Sequence, residues 1–318
     1  MIIIGPLLIT LSSLSLQAPR PVPAPAMDRT VLAMGTELHI HLEGNGDLGK
    51  ASEAALAEAA RIEAACSTWN PASSWSRLNA SQGAPVTLAR EWIDLLGQIQ
   101  TWNLRTEGAF DPVLMALVQA WGTREGERTP GPEALAEARK ASGSSLLVLN
   151  RSGGTARLLH PRAGVEEGGF LKGYALDVMR KASGVPAGWM DFGGQILAWG
   201  RPLTVDIADA QDRNLPRCTF TLEAASLSCS GTSVRGRHIL DPRSGQPCQA
   251  WGSTAVVAAD GLSADVLSTA LYVLGPDQGL AWAERHEIAA AFLLNEGQIR
   301  TTRAFLSLHP TLIPRENR

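Results

Sequence analysis

A carboxylate and a hydroxyl, Asp265 and Thr269, stand four residues apart in the segment 263–271. The segment has a helical pattern, and side chains at this spacing lie on the same helix face. Paired hard oxygen atoms suit Mg²⁺, which takes few protein ligands and completes its coordination with water and phosphate. The pair therefore suggests a protein that acts on a phosphorylated substrate. The alternative is that Asp265 is a first-turn acid favoured by the helix dipole and Thr269 has no chemical role.

Five glycine-containing segments stand at predicted loop junctions and could bring backbone N–H groups close to phosphate oxygens. None of them is a Walker loop or a dinucleotide-binding G-x-G-x-x-G motif. Each segment taken singly is explained as well by a simple turn. In chain order they are 34–36, 106–112, 168–174, 191–195 and 238–245.

The elements that would position these segments alternate between helical and extended patterns. Leu38, Ile40 and Leu42 alternate with polar residues and predict one strand over 30–43. Helices are predicted over 47–66, 90–106, 132–142, 171–183, from 260 or 263 to 274, and over 276–286. Strands are predicted on both sides of 150–154, throughout 187–257, and as a hairpin of 288–294 with 298–301.

One more helix is predicted to begin at Asp111 and Pro112. Asp is a good N-cap and Pro suits the first helical position. Apolar residues recur over 114–121, and Gly122 would end the helix. Together these elements predict an α+β chain, a single mixed α/β domain with two lobes.

The composition is that of a globular protein. The chain has 318 residues, of which 45% are hydrophobic and 19% charged, and its formal net charge is −3. No long basic run is present in the sequence, so a nucleic acid or an anionic membrane is not expected as a partner.

The first sixteen residues are apolar apart from Thr and Ser. This run is shorter than the ~20 residues that span a bilayer and fits the hydrophobic region of a secretory signal, although no Lys or Arg precedes it. A Pro-rich linker follows over 18–25. We therefore expect a leader and linker over 1–26, one domain over 27–318, and an exported, periplasmic protein. No Cys lies near the end of the run, so a lipid anchor is not expected; the alternative for the run is a buried strand.

Four cysteines follow, and none has the spacing of zinc ligands. Cys218 and Cys229 flank a predicted strand–turn–strand segment and could form a disulfide in an oxidising compartment. The other two are Cys66 and Cys248. Three pairings of the four are possible, and the sequence does not choose among them.

In their order along the chain, these segments resemble the ApbE family of FAD:protein FMN transferases. The likeness runs from about Met34 to about Leu274 and includes Ser-Thr-Trp-Asn-Pro-Ala-Ser at 67–73 and Gly-Ala-Phe-Asp-Pro at 108–112. It continues with a helix ending in Trp-Gly, the segment 166–177, and later D-x-G-G, S-G, H-I-L-D-P and A-D-x-x-x-T elements. Six or more matches in order are far more specific than any single one.

The resemblance implies an activity and an ApbE (T-fold-like) fold. FMN would pass from FAD to a Thr hydroxyl of an acceptor protein, with release of AMP and with Mg²⁺ as cofactor. The acceptors would be exported domains of membrane redox complexes that carry a Ser/Thr-Gly-Ala-Thr-like motif. Two other activities stay open: a Mg²⁺-dependent FAD pyrophosphatase, in which water replaces the acceptor, and a non-catalytic flavin carrier or assembly factor.

The resemblance also implies roles for individual residues. The metal ligands would be the Gly169 carbonyl and the side chains of Asp265 and Thr269. Lys172 would contact the pyrophosphate, and Asp265 or His238 would accept the hydroxyl proton. FAD contacts are expected from Met34, Trp69, Ala109, Phe110, Asp111, Glu166 and Lys172.

Several of these residues have a purely structural alternative. Trp69 could be part of the core, Lys172 could cap a turn, and His238 could bond a nearby carbonyl. The chain also departs from the family pattern where Glu166 and Glu167 replace the usual Asp-Leu. Leu171 also replaces the common Ala before Lys172. After Ser230-Gly231 the chain has Thr-Ser-Val at 232–234, where many members of the family carry an acidic or aromatic residue.

Overall fold

The computed structural model describes residues 24–232, 236 and 238–315. The predicted leader and most of the predicted linker lie outside the described residues. Within the part of the chain that is described, no helix combines the length and the apolar character needed to cross a membrane.

An eight-stranded antiparallel sheet lies at the centre of the fold. In spatial order its strands are β1 (Ala26–Ala33), β2 (Thr36–Glu43), β6 (Ala187–Phe192), β7 (Ile196–Trp199), β10 (Ser226–Gly231), β13 (Gly252–Ala258), β14 (Ala289–Leu294) and β15 (Ile299–Thr301). Smaller sheets are formed by β3 (Val86–Thr87), β5 (Thr155–Leu158) and β4 (Leu147–Asn150); by β16 (Thr311–Leu312), β9 (Pro216–Leu222) and β8 (Leu203–Ala208); and by β11 (Leu240–Asp241) with β12 (Gln246–Pro247).

The helices confirm the predicted mixture of α and β structure. They are α1 (Leu48–Cys66), α2 (Ser74–Asn79), α3 (Arg90–Arg105), α4 (Met115–Trp121), α5 (Pro132–Lys140), α6 (Leu171–Ser183), α7 (Gly261–Arg285) and α8 (Arg303–Leu306). A short 3₁₀ turn covers Ser144–Leu146. Helix α6 packs against both α1 and α7, and α7 packs against β10 and β13.

Strand β14 shows why part of the main sheet has an unbroken apolar sequence. Ala290 and Phe292 pack in the large core that includes residues of α1, α6 and α7. Their neighbours Ala291 and Leu293 point to the other face, into a second cluster with residues of β8 and β9. Because alternate residues of a strand face opposite sides, a strand covered on both faces is apolar throughout.

The first strand prediction was wrong in one respect, because 30–43 holds two strands. Ala33 pairs with Thr36 across a two-residue turn formed by Met34 and Gly35. Both turn residues have positive φ, 44° and 74°. A two-residue hairpin turn with both residues at positive φ matches the twist of the flanking strands. The 34–36 motif is therefore a hairpin turn.

The helix predicted to start at Asp111 and Pro112 begins later, at Met115. The Asp111 carboxylate accepts hydrogen bonds from the Val113 and Ser144 backbone N–H groups instead of capping the helix. The Glu166 N–H in turn donates to the Pro112 carbonyl. Tertiary hydrogen bonds thus hold this segment as a loop despite its favourable capping sequence.

Helix α7 contains the break that the sequence predicts near residue 275. Gly275 has non-helical angles, φ 78° and ψ 173°, and Pro276 follows it. Proline cannot donate the hydrogen bond that would continue the first helix. The two predicted helices are therefore two arms of α7.

The disulfide that Cys218 and Cys229 could have formed is absent from the structure, and all four cysteines are free thiols. Cys218 lies in β9, in a three-stranded sheet, whereas Cys229 lies in β10 of the main sheet. The two strands that flank the turn belong to different sheets, so proximity in sequence does not bring these two cysteines together.

Candidate active site

The starts of α6 and α7 meet at backbone distance. A Cβ atom added to Gly173 would lie 2.1 Å from the Gly261 carbonyl oxygen, and one added to Gly261 would lie 2.3 Å from that of Gly173. Only residues without side chains allow this approach. The predicted Lys172 and Asp265 lie on these two helices near the crossing.

Each helix supplies a carboxylate that accepts hydrogen bonds from the other helix's first turn. Asp177 of α6 accepts from the backbone N–H groups of Gly261 (2.7 Å) and Leu262 (3.0 Å). Asp265 of α7 accepts from the Gly173 N–H at 3.1 Å. The N–H groups of a first helical turn have no partner within their own helix, and they carry the positive end of its dipole. We call this arrangement the reciprocal cap.

The three predicted metal ligands lie at this crossing. A Cβ atom added to Gly169 would lie 3.3 Å from Thr269 Oγ1. Asp265 lies one turn before Thr269 on α7 and is only 5% exposed. A carboxylate, a hydroxyl and a backbone carbonyl form the all-oxygen set that Mg²⁺ prefers, so these residues are suited to that ion. No cluster of three or more His, Cys, Asp or Glu suited to a metal is present among the described residues, at this crossing or away from it.

Burial and neighbouring groups act in opposite directions on the charge of Asp265. Burial raises the pKa of the Asp265 carboxyl above its ordinary value, while the positive charge of Lys172 and the Gly173 hydrogen bond act to lower it. A buried carboxylate is stabilised in its charged form by a nearby cation. The charge of Lys172 therefore acts on Asp265 across the crossing.

Serine hydroxyls lie next to Thr269. Ser230 Oγ is 3.4 Å from Thr269 Oγ1 and 2.9 Å from Ser268 Oγ. Ser228 Oγ is 3.1 Å from Ser268 Oγ. Ser230 belongs to the Ser-Gly element of the family pattern, so this element lies beside the predicted metal ligands.

The predicted turn of Ala109, Phe110 and Asp111 packs against the same loop. The Phe110 ring makes an edge contact with Phe170, with centroids 6.1 Å apart. A Cβ atom added to Gly169 would lie 3.4 Å from the Phe110 ring. Ala109 and Phe110 are buried, so the turn supports the Gly169 loop from within the core.

Asp111 gives a testable effect of pH on stability. Burial raises its pKa to about 6, although hydrogen bonds from Val113, Ser144 and Asn103 act to lower it. Since the folded pKa lies above the unfolded one, this group's stabilisation is complete below the unfolded value and is lost as pH rises through about 6. The free energy of unfolding of the wild type, relative to that of Asp111→Asn, should fall by about 2 kcal/mol between about pH 4.5 and about pH 7. Urea unfolding at both pH values measures it, and an unchanged difference would contradict the raised pKa.

Met34 and Trp69 lie at one end of α1. The Met34 N–H donates to Glu63 Oε2 at 3.2 Å, and Glu63 belongs to the last turn of the helix. Trp69 follows the helix after two residues and is 66% exposed. Trp69 is therefore available for stacking, and the alternative that it is a core residue is wrong.

Sequence reasoning missed Arg124, which joins several predicted residues. Its guanidinium donates to Thr68 Oγ1 and Glu166 Oε1, both at 2.8 Å, and to Glu167 Oε2 at 3.3 Å. Its Cζ atom lies 4.6 Å from the Trp69 ring centroid. The available signal was the unusual Glu166-Glu167 pair, since two neighbouring acids, one of them buried, require a cation.

His238 lies in the loop after β10. Its Nδ1 is 3.2 Å from the Gly236 carbonyl oxygen. This bond matches the structural alternative for His238. Because a carbonyl can only accept, Nδ1 carries the proton in the neutral ring and Nε2 carries the lone pair.

An open groove of about 970 Å³ lies between α3, α6 and the start of α7. Trp102, Tyr174 and Trp199 contribute aromatic surface to it, and Asp177 of the reciprocal cap is part of its wall. None of the predicted site residues is among the described residues that line it. The groove adjoins the helix crossing but is separate from the predicted site.

Comparison with known proteins identifies the family. The model of the ApbE family matches residues 34–293. An FAD:protein FMN transferase of Haemophilus influenzae is 27% identical over 304 residues, covering 86% of each chain. The crystal structure of Pseudomonas stutzeri flavinyl transferase ApbE, apo form, is similar with a TM-score of 0.82 and 28% identity, over 91% of this chain and 99% of that one.

A further solved structure supports the fold alone. The ApbE protein of Thermotoga maritima is similar with a TM-score of 0.83 and 24% identity, over 89% of this chain and 99% of that one. The chain belongs to the ApbE family. These matches confirm the predicted family and fold class, and the prediction that the chain is an enzyme.

Proposed function

We propose that this protein transfers FMN from FAD to a Thr hydroxyl of an acceptor protein, with Mg²⁺ as cofactor and AMP as the second product. Relatives named FAD:protein FMN transferase support the transfer of FMN from FAD to protein. The main structural support is the convergence of Gly169, Lys172, Asp265 and Thr269 at the crossing of α6 and α7.

The reaction exchanges the phosphoanhydride bond of FAD for a phosphoester bond to the acceptor. The acceptor oxygen forms a bond to the FMN phosphorus, and the bond from that phosphorus to the AMP phosphate oxygen breaks. The Thr proton passes to a base, and AMP leaves with the bonding electron pair. Gly169, Asp265 and Thr269 would hold Mg²⁺, which when bound supplies Lewis-acid stabilisation of phosphate charge. Lys172 contributes a fixed positive charge, which favours the more negative transition state.

His238 is the better of the two candidate bases. Asp265 already accepts the Gly173 N–H and is expected to bind the metal. The bond between His238 Nδ1 and the Gly236 carbonyl favours the tautomer whose lone pair is on Nε2. A base acting through Nε2 needs this tautomer.

An acceptor assay tests the proposal. Purified protein is incubated with FAD, Mg²⁺ and a protein carrying the Ser/Thr-Gly-Ala-Thr-like motif, and the acceptor is analysed by mass spectrometry. We expect the acceptor to gain the mass of an FMN phosphoester and AMP to appear in equal amount. Replacing the motif's Thr by Val in the acceptor should prevent the gain, because no hydroxyl remains to attack.

The same assay separates the alternative activities. FMN and AMP formed at an equal rate without acceptor would indicate the pyrophosphatase. FAD binding without products would indicate the carrier. Either result would overturn the transferase proposal for the acceptor used, provided that an established transferase modifies the same acceptor in parallel.

We also propose that the protein and its acceptor meet outside the cytoplasm. The support is the apolar run of residues 1–16, which lies outside the described residues and has the length of a signal's hydrophobic region. Expression of the full chain with a C-terminal tag, followed by fractionation and mass determination, tests it. A cytoplasmic, uncleaved product would contradict export.

A further inference from the structure

We propose that Arg124 and Glu167 position the Trp69 indole for stacking on FAD, so that Arg124 sets FAD affinity by acting through Trp69. The inference rests on the proposed function, in which Trp69 contacts FAD. We call the three residues Thr68, Arg124 and Glu167 the brace.

The brace joins three separate segments of the chain. Glu167 Oε1 accepts the Thr68 N–H at 3.0 Å, and its other oxygen accepts the Thr68 hydroxyl proton. Arg124 donates to the same hydroxyl and to Glu167. The loop after α1 is thereby tied to the loop before α6, and Arg124 ties both to the segment after α4. Trp69 follows Thr68 directly, so the backbone that carries the indole is fixed next to its attachment.

Arg124 also contacts the indole itself. Its Cζ lies 4.6 Å from the ring centroid, within the range of a cation–π interaction. Trp69 is nevertheless 66% exposed, so most of its surface is not covered by Arg124 or by other residues. The indole is therefore held on one face by a cation and presents the other face for a planar ring to stack on.

The hydrogen bonds of Arg124 restrict its own movement. Its side chain is only 16% exposed and donates to Glu166 as well as to the other two residues of the brace. A planar guanidinium held at several points loses little further freedom when a ring stacks nearby. Substrate binding can then use an indole that is already oriented.

The brace depends on a residue that departs from the usual family pattern. Glu167 stands where the family pattern usually has Leu, and it is 8% exposed. A buried carboxylate without partners would be strongly destabilising, but here Thr68 and Arg124 provide donors. Burial and the neighbouring Glu166 raise the pKa of Glu167, and the Thr68 bonds and Arg124 oppose the rise. The Leu-to-Glu departure is thus compensated within the brace.

The test compares variants by FAD affinity and turnover. Arg124→Leu should raise KM for FAD about tenfold and change kcat less than about twofold, because the brace orients the ring and does not contact the reacting phosphate. Glu167→Leu should raise KM about fivefold. Arg124→Lys keeps the charge without the planar fork, so it should fall between wild type and Arg124→Leu. Arg105→Leu is the matched control, since it removes a guanidinium 4.2 Å from Trp102, outside the brace, and KM should not change.

A second background shows whether Arg124 acts through Trp69. Trp69→Ala should itself raise KM about tenfold through loss of stacking. In that background Arg124→Leu should add less than about twofold, because the residue that it positions is gone. A further tenfold rise in KM on adding Arg124→Leu to Trp69→Ala would overturn the inference. An unchanged KM in the single variant Arg124→Leu would also overturn it. Thermal unfolding of every variant excludes loss of fold as the cause.

Equilibrium binding separates failure of the inference from failure of the proposed function. Dissociation constants for FAD are measured on the same variants by titration without acceptor. If the wild type transfers no FMN, the proposed function fails, and the binding series still tests the brace. If the wild type transfers FMN but the binding series shows no dependence on Arg124, the brace alone is rejected.

Discussion

We expect Asp265→Asn to lower the rate of FMN transfer about 10³-fold while the protein remains folded. The loss corresponds to several kcal/mol of charge stabilisation at the phosphates, which a metal site of this kind supplies. The Asn oxygen can still accept the Gly173 N–H that Asp265 now accepts at 3.1 Å. The substitution therefore removes the charge but keeps the hydrogen bond.

Two further variants separate the metal role from a structural one. Asp265→Ala removes the hydrogen bond as well, so it should lose both transfer and some stability. Asp277→Ala changes the same residue type in the same helix, where the side chain is 85% exposed and pairs with Arg300. This control should keep wild-type activity.

Metal binding gives a readout that does not depend on turnover. Calorimetry with FAD present should detect Mg²⁺ binding to the wild type and to Asp277→Ala, but not to Asp265→Asn. Binding without FAD should be weak, because phosphate oxygens provide much of the coordination that Mg²⁺ requires. Near-normal transfer and Mg²⁺ binding by Asp265→Asn would reject the proposed metal site.

Gly173→Ala should be strongly destabilising. Its new Cβ would meet the Gly261 carbonyl oxygen at 2.1 Å, and both helices would have to separate. Overpacking costs about 1–3 kcal/mol and occasionally more, and a clash between two backbones leaves no flexible side chain to move away. We expect a loss of at least about 3 kcal/mol in the free energy of unfolding, measured by urea denaturation.

The control for this prediction is a glycine with open space around it. Gly131 has φ −65° and no heavy atom within 4 Å of an added Cβ. Gly131→Ala should change stability by less than about 1 kcal/mol, an amount set by its N-cap position. Equal effects of the two substitutions would show that the helices can separate easily. Any Gly173→Ala protein that folds should also bind FAD and Mg²⁺ poorly, since Gly169 lies just before the displaced turn and Lys172 is part of it.

Local sequence signals predicted the elements that depend on local interactions. The bounds of α6 match those predicted, because Gly184 ends the helix in the left-handed conformation, φ 63°. The final hairpin also matches, since its apolar runs are separated by Glu296-Gly297. Ordered motifs then indicated which residues belong to the site, and the structure brings Gly169, Thr269 and Phe110 together.

Interactions between distant segments could not be predicted in this way. Asp111 has an ideal capping sequence, yet its carboxylate binds Ser144, 33 residues away, and the helix starts later. Arg124 contacts Glu167 across 43 residues, and no local pattern indicates that pairing. Cys218 and Cys229 are near in sequence, but their strands join different sheets. In each case the outcome was decided by tertiary contacts between segments.

The reciprocal cap makes the two helix starts a single unit of local unfolding. If the first turn of α7 frays, Asp177 loses the Gly261 and Leu262 donors and remains as a partly buried acid with a raised pKa. If the first turn of α6 frays, Asp265 loses the hydrogen bond from the Gly173 N–H group in the same way. Each opening therefore leaves an unpaired carboxylate on the other helix, which favours joint opening over separate opening. The amide protons of Gly173 and Gly261 should consequently exchange with solvent at similar, slow rates.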